Sequence, residues 1–140
     1  MRPLLDLTKE YGLVLDGGGA RGAYQIGAWK ALKEAGVKIS AVAGTSVGAL
    51  NGALICMDDL EQAEKIWSEM EFSRVMSVDD DWMRHFFQGE QKLADHPADL
   101  ARVFRHRGVD SAPPRTLLHE TVAEEKIRGV RTHLLFVTCC

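Results

Sequence analysis

Two glycine-rich turns hold the residues whose types and spacing could do chemistry. The second in chain order reads Gly44-Thr45-Ser46-Val47-Gly48, a G-x-S-x-G pattern. It lies between the apolar run Ile39 to Ala43 and the apolar segment Val47 to Met57. A serine on a sharp strand-to-helix turn is held in a strained backbone conformation with its hydroxyl presented at the end of the strand. Gly44 and Gly48 let strand and helix approach each other without a side-chain collision. The start of the following helix adds positive potential where an oxyanion would form. Ser46 therefore reads as a nucleophile. The bland alternative is a tight turn whose serine only caps the helix.

The first turn reads Asp16-Gly17-Gly18-Gly19-Ala20-Arg21-Gly22 and follows the apolar run Gly12 to Leu15. Successive glycines leave backbone N–H groups uncovered by side chains, and here they open a helix, which makes an anion nest. Gly17, Gly18 and Gly19 are candidate oxyanion donors, a role that calls for N–H groups about 3 Å from the developing charge. Arg21 could contact an anionic group of a substrate, or brace the loop through a carboxylate with its fixed fork. The same residues spell G-x-G-x-x-G at Gly17, Gly19 and Gly22, the dinucleotide-binding fingerprint. That reading wants an acidic residue at the end of the second strand to hold ribose hydroxyls, and Val42-Ala43-Gly44-Thr45 supplies none. A P-loop also fails, because Ala23 and Tyr24 follow Gly22 where Lys and Ser/Thr belong.

The elements that must position these turns are legible from apolar periodicity. Gly12 to Leu15 and Ile39 to Ala43 read as buried parallel strands. Between them Ala20 to Ala35 reads as a helix, with Tyr24, Ala28, Ala31, Leu32 and Ala35 on helical spacing and Gly36 placed to end it. Val47 to Met57 is a second helix, and Asp58 or Asp59 can cap a third over Leu60 to Met70. Asp79, Asp80 and Asp81 precede an apolar stripe of Trp82, Met83, Phe86 and Phe87, read as core packing. A short helix is expected from Ala98 to Arg105. Pro113 and Pro114 open another through about Glu125, and Thr132 to Thr138 reads as a closing strand. The whole is α/β with a largely parallel sheet and helices on both faces. Ligand chemistry in such sheets sits at the carboxyl ends of the strands, where the two turns would meet.

Composition narrows the function classes. The chain has 140 residues, enough for one compact domain, and 46% of them are hydrophobic. Its net charge of −3, with both signs interspersed, gives no nucleic-acid footprint. Met1 to Gly12 carries Arg2, Asp6, Lys9 and Glu10 and lacks the apolar region of a secretory signal. Gly48 to Met57 is too short to span a bilayer. Three cysteines, Cys56, Cys139 and Cys140, form no disulfide framework, and with His133 they form no metal-ligand spacing. A reducing cytoplasm is the expected compartment, any membrane contact would be peripheral, and no metal or cofactor is expected.

Asp16 to Gly22 followed by Gly44-Thr-Ser-Val-Gly-Ala-Leu-Asn51 resembles the patatin-like phospholipase family. The resemblance is sharp over residues 11 to 57 and looser over residues 110 to 138. It implies a three-layer α/β sheet related to the α/β-hydrolases. It further implies a Ser–Asp dyad with Ser46 as nucleophile, the Gly17 to Gly19 loop as oxyanion hole, and lipid acyl esters as substrates. The family's aspartate sits in an Asp-Gly-Gly or Asp-Gly-Ala turn beyond the strand that Thr132 to Cys140 resembles. Asp16-Gly17 is the one Asp-Gly in the sequence and belongs to the glycine loop. Asp110 reads as a loop acid that caps the next helix. None of His85, His96, His106, His119 and His133 is needed by a Ser–Asp dyad. The expectation is an amino-terminal portion of a patatin-like domain, residues 1–140, incomplete at its C-terminus and inactive by itself. The alternatives are a lipid-binding pseudoenzyme and the dinucleotide-binding module.

Overall fold

Short apolar runs alternating with helical segments lay down a parallel sheet in the computed structural model, which describes residues 5–74 and 112–137. The stripe of Trp82, Met83, Phe86 and Phe87, the helix expected from Ala98, Asp110, Cys139, Cys140 and the histidines His85, His96 and His106 lie outside the described residues. The chain divides into two compact units, Met1–Ser68 with Thr121–Cys140, and Glu69–Glu120.

The first unit holds the sheet. Strand β1 spans Glu10–Leu15, β2 Lys38–Gly44 and β3 His133–Phe136. The order is β1-β2-β3 and both pairings are parallel. Helix α1 (Gly22–Glu34), preceded by a 3-10 turn over Gly19–Arg21, connects β1 to β2. Helices α2 (Val47–Cys56) and α3 (Leu60–Ser68) follow β2. Right-handed crossovers that advance across a sheet in one direction put their helices on the same face. Accordingly α2 packs on all three strands and also touches α1 and α3.

Register shows which face is covered. Leu13, Val42 and Leu134 are aligned in one row, and Val14, Ala43 and Leu135 in the next, pointing the other way. Val42 is fully buried under α2, whereas Val14 is 83% exposed and Leu135 is also exposed. Helix α2 is buried over nearly its whole length, from Gly48 to Cys56. A helix apolar all round belongs in a core, and its residues Leu50, Ala53, Leu54 and Ile55 supply much of this one. Fully burying a side chain such as Leu54 contributes about 2 kcal/mol.

Several boundaries depart from the sequence reading. In α1 the buried stripe is Gly22, Ile26 and Trp29, whereas Tyr24, Ala28, Ala31 and Ala35 are exposed. Both sets have helical spacing. The bulkier Ile26 and Trp29 remove more apolar area from water, so they take the inner face. Gly36 does end the helix, in the left-handed conformation at φ 75°. Asp59, not Asp58, caps α3, its Oδ1 accepting the Gln62 N–H at 3.1 Å. Asp58 turns the chain at φ 56° and pairs with Lys33, whose ammonium lies 5.7 Å from the centre of the Trp29 ring.

The helix expected to run on to Glu125 breaks in two, α4 (Ala112–Thr121) and α5 (Glu124–Gly129). Tertiary hydrogen bonds hold the break. Thr121 O accepts from Gln62 Nε2 at 3.3 Å, and the N–H of the extended Ala123 donates to Met57 Sδ at 3.3 Å. In the second unit a 3-10 turn, Phe72–Arg74, is described along with most of α4. Arg74 and Glu120 pair there at 2.9 Å.

Candidate active site

Strand β2 delivers its last residue, Gly44, into a turn that the sheet continues to hold. Thr45 N–H donates to Leu15 O at 3.2 Å, and Val137 N–H donates to Gly44 O at 3.0 Å. The Thr45 hydroxyl reaches Val137 O at 3.2 Å. Tethered to both neighbouring strands, the chain must reverse within one residue to enter α2. That residue is Ser46, at φ 52° and ψ −128°. A non-glycine residue in this region costs about 1–3 kcal/mol and persists only where its surroundings over-determine it.

The constraint is backbone against backbone. A β-carbon added at Gly48 would lie 2.5 Å from Leu15 O and 2.7 Å from Asp16 O, and one at Gly44 would overlap the Gly48 carbonyl. Ser46 occupies the N-cap position of α2, yet its side chain makes no capping hydrogen bond. The residue is exposed, and among the described residues its hydroxyl has no hydrogen-bond partner. The capping alternative thus lacks the bond that defines it.

The glycine loop lies beside this serine. A β-carbon on Gly17 would fall 3.3 Å from Ser46 Cβ and 3.9 Å from its Oγ. Parallel pairing of β1 with β2, in register from Leu15 to Gly44, brings the two turns together. Gly17 N–H donates to the Asp16 Oδ1 of its own loop at 2.8 Å. Gly18 and Gly19, at φ 148° and 56°, adopt conformations that side chains resist. Their N–H groups form no hydrogen bond among the described residues.

Arg21 is exposed and folds back over Gly18, where an added β-carbon would meet its Nε at 3.2 Å. Among the described residues its guanidinium forms no ion pair. Gly22 serves packing: it is buried, and a β-carbon there would run into the Trp67 ring and Val47.

Sequence reasoning missed what lies beneath the loop. Asn51 is completely buried. Its Nδ2 donates to Gly22 O at 2.9 Å and to Gln25 Oε1 at 2.8 Å, and its Oδ1 accepts from Trp67 Nε1 at 2.8 Å. Gln25 Nε2 then donates to Asp16 O at 2.7 Å. The available signal was one amide inside the otherwise apolar run Ala49 to Met57, since a buried polar group has to be hydrogen-bonded. Elsewhere, a shallow cleft bordered by Trp29, Ile39, Cys56 and Thr132 opens at the amino ends of the strands, away from Ser46. Burial pushes the Cys56 thiol pKa up. Among the described residues no cluster of His, Cys, Asp or Glu could hold a metal, and no helix is long and apolar enough to cross a membrane.

Fold and turns define a class: an α/β chain with a strained, exposed serine and a glycine loop side by side at the carboxyl ends of parallel strands. Residues 13–138 match the patatin-like phospholipase family, and the chain belongs to that family. The lysophospholipase nte1 of Aspergillus terreus is 58% identical over 50 residues, which is 36% of this chain and 3% of that protein. The neuropathy target esterase sws of Drosophila persimilis is 35% identical over 119 residues, covering 85% of this chain and 7% of the relative. Its counterpart in Drosophila sechellia is 52% identical over 62 residues, 41% of this chain and 4% of the relative. This chain thus spans a small part of the length of these relatives. No solved structure matches it.

Proposed function

We propose that these residues form the nucleophile half of a serine lipid acyl hydrolase, of the esterase or phospholipase type, within the N-terminal portion of a single patatin-like domain. The observation that carries this reading is Ser46, strained at φ 52° and exposed with its hydroxyl left out of helix capping, next to Gly17. Ser46 Oγ attacks the acyl carbonyl carbon while its proton passes to a carboxylate. The resemblance supplies that group as an aspartate outside the 140 residues. The carbonyl π electrons move onto oxygen, and glycine-loop N–H groups hold the oxyanion. Collapse breaks the ester C–O bond and the leaving alcohol takes the proton. Water then cleaves the acyl-serine and releases the fatty acid.

Gly18 and Gly19 are the uncommitted donors, while Gly17 donates to Asp16. The exposure of Arg21 at the loop supports contact with an anionic group of the substrate, and its fold over Gly18 supports the alternative role of bracing the loop. The names of the relatives, lysophospholipase and esterase, support single-chain phospholipids and simple esters as the first substrates to try. Cytoplasmic placement with peripheral membrane contact goes with this reading.

In the full-length protein, Ser46→Ala is expected to lower kcat for p-nitrophenyl butyrate and lysophosphatidylcholine by at least about 10⁴-fold. A fluorophosphonate should label Ser46 and leave the variant unlabelled. Hydrolysis retained by Ser46→Ala would sink the assignment. A second reading, a lipid-binding chain without turnover, is favoured by the lack of a base at the Ser46 hydroxyl among the described residues. The 140-residue chain assayed alone is accordingly expected to be inactive or nearly so.

A further inference from the structure

The amide pair beneath the glycine loop, buried Asn51 and half-buried Gln25, has a polarity that chemistry dictates. Trp67 Nε1–H is a donor only, so the Asn51 atom facing it must be the oxygen. Nδ2 of Asn51 is thereby turned toward Gly22 O and toward Gln25, whose facing atom must accept and so is Oε1. The remaining end of Gln25 is its NH₂, and it donates to Asp16 O at 2.7 Å. One direction of donation therefore runs from α3 through α2 and α1 to the last carbonyl before the glycines. Both N–H groups of the Asn51 amide and its oxygen are engaged, as complete burial requires.

The terminus of this relay is chemically significant. The carbonyl of Asp16 and the N–H of Gly17 belong to one planar peptide unit, so fixing the oxygen fixes the plane from which the chain leads on to the uncommitted Gly18 and Gly19 N–H groups. Gly17 stands against Ser46, and the Asp16 carbonyl also abuts Gly48 of the nucleophile turn. Three glycines in succession provide little stiffness of their own, so the loop's orientation toward Ser46 has to be imposed from below.

We propose that Gln25 and Asn51 are positioning residues, which through the relay Trp67–Asn51–Gln25–Asp16 hold the Asp16–Gly17 peptide and set the oxyanion donors of the glycine loop opposite Ser46. The inference rests on the acyl-hydrolase reading of Ser46. Neither side chain touches the substrate. Each acts through the loop backbone.

The test uses the full-length protein and Gln25→Met, which keeps the length of the side chain and removes both polar contacts. The half-buried position of Gln25 suits it to substitution better than Asn51. The expected result is a kcat for p-nitrophenyl butyrate lowered about 10- to 100-fold, with KM within about twofold, as small misplacements of catalytic groups produce. The preference for the oxygen ester over its thionoester should fall too, because sulfur accepts hydrogen bonds weakly and gains little from well-aimed donors. Trp67→Phe, two links from the loop, should shift that preference in the same direction by a smaller factor, and it carries the test if Gln25→Met folds poorly.

A wild-type kcat in Gln25→Met overturns the positioning role. So does a reduced kcat with an unchanged oxygen-to-sulfur preference, which marks a general structural loss. Ser46→Ala separates the two layers. If that variant stays active, the nucleophile reading falls and this inference with it. If it is inactive while Gln25→Met behaves as wild type, the relay alone is refuted.

Discussion

The two glycine turns at the carboxyl end of the sheet are built by opposite means. The Ser46 turn is clamped by main chain. Sheet hydrogen bonds extend into it from Leu15 and Val137, and Gly44 and Gly48 touch backbone where a β-carbon would stand. The Asp16 to Gly22 loop has little of that. Gly19 has no neighbour within 4 Å of an added β-carbon, and the loop is held from below by the Gln25 amide, which donates to Asp16 O, and by the Asp16 carboxylate, which accepts from the Gly17 N–H. The Ser46 side chain is set at one point by steric exclusion, as the nucleophile proposed above requires. The glycine loop is set by directional hydrogen bonds, which suits the proposal that its N–H groups are aimed at an oxyanion.

Substitutions at the glycines should break this comparison most visibly. Gly48→Ala drives a methyl into Leu15 O and Asp16 O, fixed backbone atoms, and is expected to cost about 3 kcal/mol in urea unfolding or to prevent folding. Gly19→Ala meets open space and strains only φ, here 56°, so its cost should be about 1 kcal/mol. Equal losses at the two positions would erase the distinction between a clamped and an aimed turn.

Asn51→Leu sharpens the comparison at the next level. It keeps the volume and leaves the half-buried Trp67 N–H and the Gln25 amide oxygen without their Asn51 partner, a loss of about 2 kcal/mol. A neutral result in thermal unfolding would show that the amide network adds nothing to the core.

Smaller effects belong to groups distant from both turns. Cys56 is buried with its thiol pKa raised by desolvation, so iodoacetamide should modify it at neutral pH only once the protein unfolds. Because the folded state holds this proton more tightly, the matching stability is present below the thiol's ordinary pKa of about 8.5 and is lost as pH rises through the raised value. Rapid native-state alkylation would contradict that. Least of all should come from the surface pair of Lys30 and Glu64, 2.7 Å apart. The Glu64 carboxylate raises the Lys30 pKa through its hydrogen bond and charge. Whatever the pair contributes is present below the ordinary lysine value and is lost as pH climbs through the raised one. Lys30→Met is expected to leave Tm unchanged at neutral pH, as exposed pairs generally do.

Much of the local architecture was legible in the chain. The strands ending at Leu15 and Gly44, the helix starting at Val47 and the stop at Gly36 all follow from short-range rules of apolar spacing, steric tolerance at glycine and capping. Where those rules offered two answers, packing chose. Asp58 and Asp59 are equivalent as caps on paper, and the ion pair to Lys33 frees Asp59 for the role. The α1 stripe of Tyr24 and alanines was as periodic as that of Ile26 and Trp29, and the larger side chains went inward. The proline-led helix had no internal reason to stop at Thr121, since Gln62 and Met57 are far away in sequence.

By itself, then, the sequence determined that two glycine turns would close successive parallel strands and that one would carry Ser46. Those properties depend on residues within a few positions of each other. Only the tertiary structure decided that Gly17 stands 3.3 Å from the serine side chain, measured to an added β-carbon, and that Trp67, Asn51 and Gln25 brace the loop. These contacts join residues 9 to 29 positions apart in the chain, brought together by the packing of α1 and α3 around α2, and no local propensity encodes that meeting.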